Sequence, residues 1–241
     1  MSPRDENTRT ERARARLREL TTRLLTRRHG HPASEIPAVR RRATRALLVV
    51  DVQNDFVTGI LPVHGAARVI PVLNRYLRLF DQANLPVYMA RDWHPPETTH
   101  FDGEGGALPA HCVRGTPGAA FPAELSVPVG AVVISKGTTG SEQGYSAFSG
   151  HHPGPVSLRK CLETRGVRTV YVAGLGAGVA ATVLDGKQMG FEVVLLVDAV
   201  RGINGTSARL RRAIDGMCRA GARVEQFDGV AHELETPASR D

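Results

Sequence analysis

From Ala46 onward, short valine-rich runs alternate with segments of helical periodicity. That alternation constrains the fold more than any other feature of the chain. The runs are ALLVVDV (46–52), PVYMARD (86–92), AVVISK (131–136), TVYVAGL (169–175) and EVVLLVDAV (192–200), closed by ARVEQFD (222–228). Continuous apolar runs of this length fit strands buried on both faces, as in parallel sheets. Helical patterns stand between them, at 66–83, 157–165, 178–190 and 205–220. Together they predict an α/β domain over 46–241. It is three-layered and doubly wound, with a mainly parallel six-stranded sheet, helices on both faces and right-handed connections.

The charge of the chain belongs elsewhere. The formal net charge is +7, yet residues 1–45 hold 13 arginines against 5 acidic residues, so the remainder is close to neutral. Within this segment Thr8 and Glu11 form a capping-box pattern. Leu17, Leu20 and Leu24 then recur at helical spacing, so residues 1–45 read as an Arg-rich helical arm and linker. Such a short helix with a narrow leucine seam needs a surface to dock on, and the expected surface is a homo-oligomer interface, dimer or tetramer. The segment contains no aromatic residue and so no base-stacking platform, which argues against nucleic acid as a partner.

Neither a long apolar run nor a signal-peptide pattern occurs, and no membrane association is expected. The three scattered cysteines, Cys112, Cys161 and Cys218, suit a reducing cytoplasm rather than a disulfide framework.

In a parallel α/β sheet, ligands bind in the crevice beyond the carboxyl ends of the strands. Asp51 closes the first strand, Asp92 and His94 follow the second, and Lys136 ends the third. The glycine-rich turn GLGAGVA (174–180) follows the fourth. The stretch RDWHPPETTHFDGEGGALPAHC (91–112) adds His100 and His111 without helical or strand periodicity. Imidazoles with one carboxylate suit zinc, iron or manganese; a polar surface loop rich in histidine is the other reading.

Several motifs in order resemble the isochorismatase-like cysteine hydrolases, and most closely their nicotinamidase/pyrazinamidase branch. They are LLVVDVQNDF (47–56), ARDWHPP (90–96), LPAHCVRGTPGAAF (108–121), SKG (135–137), YSAF (145–148), VAGLGAGVAATVLDG (172–186) and VDAVRGI (197–203). The resemblance implies the same doubly wound sheet, with Asp51 as general base and Lys136 as oxyanion stabiliser. It implies one divalent metal ion, zinc first, with iron or manganese as the other candidates. Asp92, His94 and His111 would be its ligands, with His100 a further candidate. Cys112 belongs to a family motif without being the usual ligand. Phe56, Trp93 and Tyr145 would bring aromatic surface to the pocket of a small, planar, N-heterocyclic substrate.

One departure stands out. The family's nucleophilic cysteine lies in a GLATDYCV-like turn, and this chain is two residues shorter there and has no cysteine. Anchored on TVLD (182–185), the nucleophile's place falls on Gly178; anchored on GL (174–175), it falls on Ala180. Three functions then compete. The first is a metal-dependent amide hydrolase using water in place of the thiolate, with Asp51 accepting the proton. The second is isochorismatase-like vinyl-ether hydrolysis, and the third a catalytically inactive small-molecule binder.

Overall fold

The computed structural model describes residues 43–142, 144–202 and 207–235. The Arg-rich arm and its leucine seam lie outside the described residues. In chain order the elements are β1 (Arg45–Val50), α1 (Asn54–Val57), a 3-10 turn (Ala66–Val69) running into α2 (Ile70–Gln82), and β2 (Val87–Asp92). Next come β3 (Val132–Lys136), β4 (His151–His152), β5 (Val156–Ser157) and α3 (Leu158–Arg165). The chain continues through β6 (Thr169–Leu175), α4 (Gly176–Gln188), β7 (Glu192–Arg201), α5 (Ser207–Arg219), β8 (Arg223–Glu225) and α6 (Phe227–Glu235).

The strands form one sheet in the order β5-β4-β3-β2-β1-β6-β7-β8. Six are parallel, and β4 and β5 add an antiparallel edge beyond β3. The sheet therefore has eight strands where the sequence predicts six. The two extra strands are two residues each, too short to leave a periodic signal.

Alternate residues of β1 divide the core. Ala46, Leu48 and Val50 pack with Leu162 of α3, Val179 and Val183 of α4 and Met217 of α5. Leu47 and Val49 face the other way, toward Leu73, Leu77 and Phe80 of α2 and Val230 of α6. Period-two alternation in a strand buried on both sides thus produces the three layers. In α2, Ile70, Leu73, Tyr76, Leu77 and Phe80 are buried, the i, i+3, i+4 stripe of a helix covering a sheet.

The last expected strand, 222–228, is only partly one. It ends at Glu225, and Phe227 opens α6 with its N–H donated to Asp198 Oδ2 at 3.0 Å. The Phe227 ring lies 5.1 Å from that of Tyr76, and the Arg75 guanidinium sits 3.7 Å over it. A tertiary contact therefore overrides the local β pattern here.

β1 lies between β2 and β6, where the chain leaves one half of the sheet for the other. That reversal opens a crevice at the carboxyl ends, the usual ligand position in an open α/β sheet. The strands are held close below it. A Cβ on Gly174 (φ +131°) would fall within 2.0 Å of the Val50 carbonyl oxygen, so only glycine lets β6 run against β1 there.

Candidate active site

The crevice is a cavity of about 670 Å³, lined by Asp51, Phe56, Asp92, His94, His100, His111, Lys136, Tyr145 and Gly178 among others. Strand ends deliver its charged groups. Asp51, one residue past β1, sits in the left-handed region (φ 58°), a conformation that Asp tolerates and that is enriched at functional sites. Its N–H is tied to Ala90 O at 2.9 Å, which fixes the turn against β2.

Lys136 is buried at the end of β3 and sits between two carboxylates. Its Nζ lies 3.0 Å from Asp51 Oδ2 and 2.6 Å from Asp92 Oδ1. Burial raises the Asp51 carboxyl well above the usual carboxylate range; Lys136 opposes this, and the Asp92 charge adds to it. Burial also works against ionised Asp92, but Lys136 and His94 outweigh it and hold Asp92 below the normal range. The two acids thus diverge: Asp92 stays ionised, while Asp51 is poised to carry a proton. Asp51 Oδ1 is buried and has no hydrogen-bond partner, which leaves it for a ligand, a water or a proton.

The histidines converge from the loop after β2. Their nearest ring nitrogens all lie within 4.8 Å of one another. The second ring nitrogen of each is already committed. His94 Nδ1 lies 3.0 Å from Gly137 O and His111 Nδ1 2.8 Å from Pro109 O, and a carbonyl can only accept. Thr98 donates its hydroxyl proton to Gly140 O, so it accepts from His100 Nδ1 at 3.2 Å. All three therefore carry a proton on Nδ1, which fixes each ring by a protein acceptor, as second partners do for metal-ligating histidines.

Asp92 Oδ2 faces His94 Nε2 at 3.8 Å, a gap that a cation or a proton can bridge. His100 and His111 are held below the ordinary imidazole range, first by burial and, for both, also by the neighbouring His94. Neutral imidazole is the form a metal takes. This donor set fits a divalent ion. Lys136 already claims Asp92 Oδ1, so it is Oδ2 that faces the imidazoles.

The supporting contacts explain this convergence. Gln53 is fully buried, donates to Asp92 O at 2.8 Å and Ala119 O at 3.0 Å, and accepts from Asp92 N at 2.8 Å. Asp55 accepts from Cys112 N at 2.8 Å, and His94 N donates to Cys112 O at 3.1 Å, which joins the two histidine segments. Cys112 itself is buried, and burial together with the Asp92, Asp51 and Asp55 charges raises its thiol far above normal. A protonated thiol is a poor nucleophile, and among the described residues Cys112 is not a member of the histidine group.

Gly178 lines the cavity on the first turn of α4, whereas Ala180 packs against the core. A Cβ on Gly178 would stand 2.3 Å from Asp51 Oδ2, so the carboxylate fills the space a side chain would need. Phe56 and Tyr145 line the cavity, but Trp93 does not; its ring lies under the Arg91 guanidinium, 3.6 Å away. Trp93 N donates to Lys136 O, and in a pleated strand neighbouring side chains point to opposite sides, which turns Trp93 away from Asp92 and His94. Sequence reasoning passes over His64 and Arg201, both on the cavity wall. Arg201 ends β7, so the strand-end rule that selects Asp51 and Lys136 applies equally to it.

Residues 45–226 match the isochorismatase domain family. The nicotinamidase of Acinetobacter baylyi is 31% identical over 199 residues, 74% of this chain and 90% of that protein. The nicotinamidase/pyrazinamidase of Mycobacterium tuberculosis is 36% identical over 168 residues, 66% of this chain and 88% of its own. The pyrazinamidase of Pyrococcus horikoshii, solved in complex with zinc, superposes with a TM-score of 0.71 at 40% identity, covering 77% of this chain and all of that one. With residues 45–226 matched and the fold in agreement, the chain belongs to the isochorismatase family.

Proposed function

We propose that the protein is a metal-dependent hydrolase of the nicotinamidase kind, acting on a small N-heterocyclic amide without a cysteine nucleophile. The observation that carries this reading is three imidazoles with ring nitrogens within 4.8 Å of one another, sharing one cavity with the Asp51–Lys136–Asp92 array. The nicotinamidase relatives and the zinc-bound pyrazinamidase support it.

His94, His100 and His111 would hold the ion, with Asp92 Oδ2 as the carboxylate; zinc suits this donor set best, ahead of iron and manganese. When bound, such an ion supplies Lewis acidity and makes water a stronger acid. Asp51 takes a proton from the attacking water and returns it to the leaving nitrogen, a role that suits a carboxyl held above its ordinary range. Lys136 fixes Asp51 and offers positive charge to the oxygen that becomes negative. Phe56 and Tyr145 give the ring an aromatic wall. A cytoplasmic location and a homo-oligomeric assembly, dimer or tetramer, belong to the same proposal.

The test is a panel of nicotinamide, pyrazinamide and isochorismate, run with zinc-loaded and chelator-stripped protein. Turnover of a ring amide that disappears on stripping and in Asp51→Asn supports the reading. Gly178 and the raised Asp51 carboxyl would equally suit vinyl-ether hydrolysis, and turnover of isochorismate alone moves the assignment there. Binding of these ligands without turnover marks a catalytically inactive small-molecule binder.

A further inference from the structure

We infer that the substrate of this site carries an anionic group, a carboxylate, which Arg201 binds on the side of the cavity away from the histidines. The inference rests on the hydrolase reading for the reaction, but its geometry stands on the cavity alone. The histidines follow β2 and Arg201 ends β7, with β1 and β6 between them. Three strand spacings separate the two, about 14 Å at the strand ends. Asp51 and Gly178 lie between, at the ends of β1 and β6. A cavity of about 670 Å³ is in the range that holds a drug-sized ligand, more room than a bare pyridine amide needs.

Charge bookkeeping points the same way. Lys136 is committed to Asp51 and Asp92. Arg201 has no such partner among the described residues. Its Nη1 donates to Val200 O at 2.7 Å and Asp198 O at 3.4 Å, both carbonyls. The Asp198 carboxylate is occupied elsewhere, accepting from Tyr76 Oη at 2.9 Å and from Phe227 N at 3.0 Å. One edge of the guanidinium is thus pinned by backbone, which orients a planar fork suited to bidentate recognition of a carboxylate.

The loop that carries His64 lies against it. A Cβ on Gly65 would stand 3.8 Å from Arg201 Cδ, and His64 lines the cavity beside it as a second donor. Leu210 of α5 also lines the cavity.

The test is calorimetric, uses zinc-loaded full-length protein, and compares two acids that cannot be turned over: nicotinate and pyridine-3,5-dicarboxylate. The dicarboxylate differs by the one group assigned to Arg201. It should bind about tenfold tighter or better, as a charge-assisted pair allows. Arg201→Met should bring the ratio of the two affinities to near one, and Arg201→Lys should restore part of it. A melting curve and a zinc assay establish that each variant is folded and loaded. Equal affinities in the wild-type protein, or a preference that survives Arg201→Met, would overturn the inference. If the hydrolase reading alone is wrong, the amides go unhydrolysed while the dicarboxylate preference and its dependence on Arg201 remain.

Discussion

Gly178 is the position where the structure makes its sharpest demand. A Cβ there meets Asp51 Oδ2 at 2.3 Å, the Tyr145 carbonyl oxygen at 3.0 Å and Val50 Cγ1 at 3.3 Å. Ordinary contact begins near 3.5 Å, so the carboxylate must retreat by about 1 Å. Oδ2 is also the atom 3.0 Å from Lys136 Nζ, and this pair is buried. Gly178→Ala therefore both overpacks the site and loosens an ion pair that cannot be re-solvated. Overpacking alone costs about 1–3 kcal/mol, and weakening a buried pair adds to that. A total near 3 kcal/mol lowers the melting temperature of a chain this size by about 6–12 °C. An Asp51 displaced by about 1 Å also loses roughly a hundredfold in turnover, as misplacement of a catalytic group does.

Gly178→Cys is the more telling variant. If Asp51 occupies the volume that a side chain would take, an added thiol disturbs the site without creating a nucleophile. The assays are thermal unfolding and initial-rate hydrolysis of a ring amide, before and after alkylation. A Gly178→Cys protein with wild-type stability, whose activity rises and is then abolished by alkylation, would refute the reasoning.

Elemental analysis of the purified protein should find about one zinc, iron or manganese per chain, and His94→Ala should lose it together with several degrees of melting temperature. Alkylation of the wild-type protein should leave activity unchanged, because Cys218 is the exposed thiol and Cys112 is buried with its thiol held protonated; inactivation traced to Cys112 in an otherwise intact protein would contradict this. Lys136→Met leaves Asp51 and Asp92 facing each other without their cation and should destabilise the fold by about 3–5 kcal/mol. Wild-type stability in that variant would show that Lys136 is not the buried counter-ion of both acids.

The sheet is legible in the sequence because its parallel strands are buried on both faces and must be apolar throughout. β1, β2, β3, β6 and β7 fall within two residues of the runs that announce them. Local pattern fails where the energy comes from elsewhere. β4 and β5 are two residues each, held by the edge of β3 rather than by their own periodicity. The turn from β8 into α6 depends on Asp198, 29 residues away, accepting from Phe227 N. The short α1 buries no stripe long enough to read.

The site divides along a similar line. Asp51, Asp92 and Lys136 are legible as charges at the ends of apolar strands, where a buried charge is too costly to be incidental. The histidines are legible as a cluster, but not their tautomers, which are set by Gly137, Pro109 and Thr98 across the loop. Gln53 resembles any polar residue after a strand, and only the fold shows it bonded to both N and O of Asp92. The absence of a cysteine from the turn 174–180 is visible in the sequence; its consequence is not. Spacing can show that a thiolate is missing, but only geometry shows that Asp51 fills the space left beside Gly178. On the proposed reading the absence of a cysteine from 174–180 and the position of Asp51 beside Gly178 go together, and the chemistry runs through Asp51.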